Sequence, residues 1–410
     1  MELLPIIYLM YMFISIYLLT LYFMLYFNNK KTIFDYPKLK KKYSVSFVIP
    51  AWNEGGTIAE TIENIFALDY DNISQVIVVN DGSTDNTKEV VMNLQKKYPK
   101  IKLINNKKNT GNAAGAKSIG AKYATGELIV FTDADSYPAK DSLKKMVGFF
   151  DEEKVGAVTC VNMPRNPTKF FEKIQAIEYS LITFTRKLMG YMDAIYVVPG
   201  PLGLYRRSAF EKVNGFDTEN MTEDIEIIWN MTHAGYERKM CLSTYVLTTV
   251  PTKLKEWYIQ RKRWNIGGVQ CLLKYRGGFF KKGMLGLFIL PFFTVQYLLG
   301  LFGMGVLLYL VITKFLKTYL FTAYSIPVGT ALLTMNDLHI TASFLNYLGI
   351  ILFVVSVAFT LIALSIMRTP SSYKHNPFNL LFFSIIYLAA YPFILVTSIY
   401  SLMRKNYKWR

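Results

Sequence analysis

Leu3–Phe27 is an uncharged apolar run, longer than the about 20 residues that carry a helix across a hydrocarbon core. Inside lipid such a segment has to be a helix, because its backbone polar groups find no other partners. Apolar stretches return at the far end. Leu285–Ile312, Ser343–Met367 and Phe378–Met403 are each long enough to span. Tyr319–Met335 is shorter and is interrupted by Pro327, so it reads as a fourth span or as a re-entrant or interfacial segment. The stretch between these ends looks like an ordinary soluble domain. Over 410 residues, 52% hydrophobic and 18% charged is too apolar for a soluble enzyme and too charged for a pure helix bundle. The expected organisation is an anchor at 1–29, an α/β domain at 43–275, and an interfacial segment plus three or four transmembrane helices at 276–410. The interfacial segment is Gly277–Gly283, with Phe279, Phe280, Lys281 and Lys282.

Lys30, Lys31, Lys38, Lys40, Lys41 and Lys42 follow the first apolar run rather than precede it, and no small-residue cleavage site follows. The run therefore reads as an anchor with its lysines inside, which makes the α/β domain cytoplasmic and the protein a multi-pass protein of the cell membrane. The far end leaves orientation open. Three spans put the Arg404–Arg410 tail outside, and four put Arg368 and Lys374 outside. The net charge of +17 is spread along the chain rather than gathered on one recognition helix. Anionic lipid and a phosphorylated substrate are thus better partners than nucleic acid. Cys160, Cys241 and Cys271 are scattered without metal spacing, and His233, His339 and His375 form no motif; all six read as structural.

Within the central stretch, strand-like and helical patterns alternate. Val45–Ile49 ends at Pro50-Ala51-Trp52-Asn53-Glu54, and Gln75–Val79 ends at Asn80-Asp81-Gly82-Ser83-Thr84-Asp85. Helical patterns follow each of them, around Thr57–Leu68 and Thr87–Lys97. Leu128–Phe131 is a short apolar run ending at Thr132-Asp133-Ala134-Asp135. This β-α-β-α order implies a mainly parallel, Rossmann-like sheet. Ligands of such sheets collect beyond the carboxyl ends of the strands, where these polar groups fall. Asp133 and Asp135 are hard oxygen donors suited to Mg²⁺ or Mn²⁺ shared with phosphate oxygens. Trp52 offers a face for a base or packs in the core, and Glu54 and Asp81 accept hydrogen bonds from base or ribose or cap turns. The G-x-G-x-x-G fingerprint is missing, which removes the main support for a dinucleotide site.

The order P-A-W-N-E, N-D-G-S-T-D and T-D-A-D, followed by Met221-Thr222-Glu223-Asp224 and Gln260-Arg261-Lys262-Arg263-Trp264, resembles the family 2 glycosyltransferases with the A-type nucleotide-sugar fold. The later two resemble the family's T-E-D motif and the Q-x-x-R-W motif of its processive membrane branch. That branch makes cellulose, chitin, hyaluronan and poly-N-acetylglucosamine. The resemblance covers about Val45 to Gly268 and implies that the domain is inserted between the terminal membrane helices. It implies a UDP-sugar donor, UDP-N-acetylglucosamine before UDP-glucose, and a growing polysaccharide or lipid acceptor. Asp224 is implied as the base, in an acidic cluster with Glu223 and Glu226 whose like charges raise its pKa. Donor binding is assigned to Ala51, Trp52, Glu54, Asp81, Asp133, Asp135, Arg261 and Arg263. The metal falls to Asp135 with Asp133, and acceptor binding to Gly200, Pro201, Glu223, Gln260 and Trp264.

Two places depart from the branch. Pro199 stands where relatives often carry a small polar residue or cysteine. Asn112 stands where many read G-K-A, so a lysine for the diphosphate is missing or comes from elsewhere. A non-processive enzyme charging a polyprenyl phosphate or glycolipid is the rival within the class. Outside it, the rival is a transporter with a nucleotide-binding regulatory domain. The expected spans carry no charge near mid-depth, which counts against transport. No accessory subunit is visible in the sequence.

Overall fold

The computed structural model describes residues 3–328 apart from 166 and 282, then 344–367 and 376–407. Expectations placed on Lys282, His339, Arg368, Lys374, His375, the Ser343 and Met335 boundaries and residues 408–410 lie outside the described residues. Helix α1 (Leu3–Asn29) leads to β1 (Val45–Ala51), α2 (Ile58–Phe66), β2 (Ile73–Asn80), α3 (Thr87–Lys97), β3 (Ile101–Asn105), α4 (Ala113–Ala121) and β4 (Leu128–Phe131). Next come β5 (Ser136–Pro138), α5 (Ser142–Met146), β6 (Val155–Pro164), α6 (Phe170–Gly190), β7 (Gly203–Arg206) and α7 (Arg207–Lys212). The α/β part closes with α8 (Glu223–His233), β8 (Glu237–Thr248) and α9 (Leu254–Tyr275).

The eight strands form one sheet in the order β3-β2-β1-β4-β7-β6-β8-β5. The first four are parallel, as the alternation of patterns implies. The mainly parallel expectation holds, with two strands reversed in the second half: β7 is antiparallel to β4 and β6, and β5 is antiparallel to β8. The reason is local. The chain turns at Gly200-Pro201 and starts β7 with Gly203 paired to Phe131, at the carboxyl end of β4. Since β6 and β8 are parallel to each other, the carboxyl ends of β1, β2, β4, β6 and β8 share one edge.

Alternation along the strands splits the core between two faces. Phe47, Ile49, Val76 and Val78 face α2, where Ile58, Ile62 and Ile65 recur at helical spacing with no exposed area. Val48, Ile77 and Val79 face α4 and α8. A Cβ on Gly120 would stand 2.4 Å from Val48 Cγ1, so the small residues of α4 let it lie close against the sheet.

After α9 come a π turn at Leu285–Ile289, then α10 (Leu290–Val328), α11 (Phe344–Ile366), α12 (Pro377–Phe382), a second π turn at Phe383–Tyr387, and α13 (Leu388–Met403). Among the described residues four helical segments are long and apolar enough to cross a membrane: Pro5–Asn29, Leu285–Tyr324, Tyr347–Ile366 and Pro377–Met403. The segment expected to begin anew at Tyr319 is, as far as Val328, the continuation of α10, because the apolar helix runs on without a turn after Ile312. Phe184 and Leu188 of α6 pack with Phe359 and Ala363 of α11 and with Met367 just after it, joining the α/β part to the apolar helices.

Candidate active site

At the shared strand edge a cavity of ≈ 1110 Å³ opens between the sheet and the apolar helices. That exceeds the roughly 300–1,000 Å³ that usually takes one small ligand, so two ligands have room. Every residue singled out from the sequence as a site residue lines it: Ala51, Trp52, Glu54, Asp81, Asp133, Asp135, Gly200, Pro201, Glu223, Asp224, Gln260, Arg261, Arg263 and Trp264. Phe293, Gln296 and Tyr297 of α10 and Tyr391 of α13 line it as well.

At the sheet end, Asp133 and Asp135 follow β4. Burial, then the neighbouring Asp133 and Glu54, push the Asp135 carboxyl up to about 7. Negative charge is crowded there, and a cation would relieve it. Among the described residues no three His, Cys, Asp or Glu side chains come together as a cage. A Mg²⁺ or Mn²⁺ held by one or two carboxylates and completed by substrate phosphate fits this donor set. The Gly200 turn abuts the same group. A Cβ there would lie 2.9 Å from Asp133 Oδ2 and 3.2 Å from Lys117 Nζ, so a larger residue would push these charged groups aside. Thr132 Oγ1 donates to the Pro201 carbonyl at 2.6 Å and fastens the turn.

Asp81 lies on the rim, but its carboxylate is largely used within the fold. It accepts from Asn106 Nδ2 at 2.7 Å, from Thr110 Oγ1 at 2.7 Å and from the Thr110 amide at 3.1 Å. It therefore holds the 106–110 loop at the strand edge. Asn112 caps α4, accepting from the Gly115 amide at 2.8 Å and donating to the Thr218 carbonyl at 2.7 Å. That gives Asn112 a structural role of its own.

The acidic pair Glu223-Asp224 opens α8. Buried Lys117 of α4 donates to Glu223 at 2.8 Å and lies 3.5 Å from Asp133. Burial alone would raise the Glu223 carboxyl, but Lys117 and then Arg263 outweigh it and hold the group below its usual range. Asp224 goes the other way. Burial and the Glu223 charge push it up to about 6, against Lys117 and Arg263. One carboxylate is thus kept ionised while its neighbour titrates close to neutrality, a division suited to a proton acceptor.

Helix α9 carries Gln260 to Trp264. Arg261 was expected on phosphate, yet its side chain is fully buried in an ion pair with Glu178 of α6. Tyr391 and Tyr387 donate to the same carboxylate. Gln260 accepts from Arg261, and the guanidinium lies 4.1 Å over the Trp264 ring. Arg261 is therefore committed to protein partners, because a buried carboxylate satisfies it before any ligand arrives. Arg263 points toward the acidic pair and donates to the Met221 carbonyl at 3.3 Å.

Sequence reasoning missed Lys117, Glu178 and Arg186 as cavity residues. Lys117 left a partial signal, a lysine within a run of alanine and glycine, and Glu178 and Arg186 left none.

The family described as glycosyl transferase family 2 matches residues 46–213. Poly-β-1,6-N-acetyl-D-glucosamine synthase of Staphylococcus epidermidis is 31% identical over 287 residues, 69% of this chain and 69% of that protein. The synthase of the same name from Staphylococcus aureus is 32% identical over 287 residues, 70% of this chain and 68% of its own. The mannosyltransferase PcManGT from Pyrobaculum calidifontis, solved with GDP-mannose and Mn²⁺, superposes with a TM-score of 0.60 at 20% identity. That likeness covers 97% of this chain and 99% of the other, and it shows a shared fold. The chain therefore belongs to glycosyl transferase family 2, on its processive membrane branch, and is a glycosyltransferase.

Proposed function

We propose that the protein is an inverting β-glycosyltransferase that takes a cytoplasmic UDP-sugar and extends a polysaccharide, which its membrane helices conduct across the bilayer. UDP-N-acetylglucosamine is the favoured donor, in keeping with the relatives' names, and UDP-glucose the next. The observation that carries this reading is the single cavity, which joins the two aspartates after β4, the Glu223-Asp224 pair and the α9 residues to side chains of α10 and α13.

In this reading the nucleotide lies across the strand edge, between Trp52, Glu54 and the Asp133–Asp135 turn. Asp135 with Asp133 would hold Mg²⁺ or Mn²⁺, which draws off charge collecting on the diphosphate. Asp224 takes the proton of the acceptor hydroxyl, whose oxygen then forms the new bond to the anomeric carbon. The bond from that carbon to the diphosphate oxygen breaks, UDP leaves with the electron pair, and the configuration inverts. Arg263 and Lys117 set the charge around the base. Trp264, Gln260 and the Gly200-Pro201 turn receive the acceptor.

The test is UDP release by purified full-length protein with UDP-N-acetylglucosamine and Mn²⁺. Asp224→Asn keeps the size and loses the proton acceptor, so kcat should fall about 10²–10⁴-fold with donor KM little changed. A kcat within threefold of wild type would remove Asp224 from the chemistry.

A further inference from the structure

Arg186 of α6 has no part in the steps above. It lines the cavity and is 5% exposed, yet its Nε and Nη1 find no hydrogen-bond partner among the described residues. Its companions are provided for. Lys117 meets Glu223 and Asp133, Arg261 meets Glu178, and Arg238 meets Asp193 together with the Tyr236 and Asp193 carbonyls. Even Lys187, next along α6, donates to the Met240 carbonyl at 3.0 Å. A buried charged donor left unmet is costly, and native folds keep one chiefly where a ligand or water completes it.

The neighbours on the cavity wall indicate the kind of ligand. Thr183 and Tyr179 lie one and two turns before Arg186 on α6, and Tyr196, Phe293, Gln296 and Tyr297 complete this part of the lining. Tyr196 and Phe293 meet edge to face with ring centroids 4.9 Å apart. Rings, hydroxyls and an amide with no charge among them suit a neutral, oxygen-rich ligand: the rings pack on C–H faces and the polar groups meet hydroxyls. Asp224 is close enough to act on Arg186 electrostatically, which sets this wall beside the base rather than at the far rim by Trp52.

We propose that Arg186 anchors a saccharide subsite on the α10 side of Asp224, donating Nε–H and Nη1–H to hydroxyl or acetamido oxygens of a neutral sugar of the acceptor glycan. This rests on the reading of the cavity as a glycan-extending site. Arg186 is a binding and positioning residue. It sets where the acceptor lies, and the proton goes to Asp224.

The experiment is isothermal titration of the full-length protein in lipid nanodiscs with two probes. One is UDP with Mn²⁺, and the other is the β-1,6-linked N-acetylglucosamine trisaccharide added to the UDP-bound protein. Arg186→Met keeps the length and removes every N–H, and Arg186→Lys keeps the charge. The trisaccharide Kd should rise about tenfold or more in Arg186→Met and recover in part in Arg186→Lys, with UDP affinity within twofold of wild type in both. An unchanged trisaccharide Kd overturns the subsite. So does a loss confined to UDP, which would put Arg186 on the diphosphate, and so does a joint loss of both ligands, which would make it structural. A wild type that binds UDP and no trisaccharide would overturn the subsite before any variant is made, whereas the glycan-extending reading fails separately, if no polymer forms with any UDP-sugar.

Discussion

Asp224 owes its basicity to its company, and Lys117 is the part of that company reached from farthest away. The two are coupled through the Lys117–Glu223 bond, which joins residues 106 apart in the chain. With Asp224 pushed up to about 6, the base is ionised above that pH and protonated below it. At saturating Mn²⁺, kcat/KM for UDP release should be level above about pH 7 and fall toward tenfold per unit below about pH 6. Lys117 lowers the Asp224 pKa, so Lys117→Met should move the acid limb to higher pH. A limb that stays in place or moves down would disconnect Lys117 from the base. The acids of this site were legible in the sequence because they sit in tight local patterns, D-A-D after a strand and E-D at a helix start. The cations were not. Lys117 and Arg186 matter because tertiary packing buries them; the small residues around Lys117 hint at it, and nothing near Arg186 does.

Helix α9 is the element through which the catalytic part meets the apolar helices. Trp257 donates to Tyr387, Tyr258 to Thr397, and the Lys262 carbonyl accepts from Ser398 of α13. Glu178–Arg261 locks α6 into the same junction. Removing one partner of a buried pair leaves the other charge uncompensated, at about 3–5 kcal/mol. Glu178→Gln should therefore lower the thermal midpoint clearly. Glu60→Gln breaks the partly exposed pair with Arg165 and should cost at most about 1 kcal/mol. Equal shifts in the two variants would mean that α9 is held by its apolar contacts alone. The helix itself and its Q-x-x-R-W residues could be read from the sequence. The assignment of Arg261 to phosphate could not be checked there, because Glu178 lies on another helix and has no local pattern to mark it. The second half of the sheet was hidden for a similar reason: the direction of β7 is set by one Gly-Pro turn, while helix and strand periodicity carry no sign of direction.

At the scale of the molecule, the packing of the apolar helices sets their directions relative to one another. Tyr8 approaches Gly349 and Tyr22 packs on Phe359, so α1 and α11 run in the same direction. If the lysines after α1 lie inside, as their position after the first apolar run implies, α11 would end inside as well. From there α13 follows α9 along the α/β part, and Tyr407 reaches Gln270. We expect the basic tail on the cytoplasmic side together with the end of α11, a combination that neither three nor four full spans counted from the sequence contained. The native cysteines Cys160, Cys241 and Cys271 are buried, so Asn406→Cys gives a clean probe. A membrane-impermeant maleimide should label it only after the cells are opened, and labelling of intact cells would contradict this orientation. The central claim is sharper still, because it concerns what the joined cavity makes. Purified full-length protein is given UDP-N-acetylglucosamine, UDP-glucose and other UDP-sugars in turn, with and without Mn²⁺ or Mg²⁺, and both UDP and product length are measured. The account predicts metal-dependent UDP release with one donor, UDP-N-acetylglucosamine, and a product many sugars long. A product that stops at one sugar on a lipid carrier would contradict it.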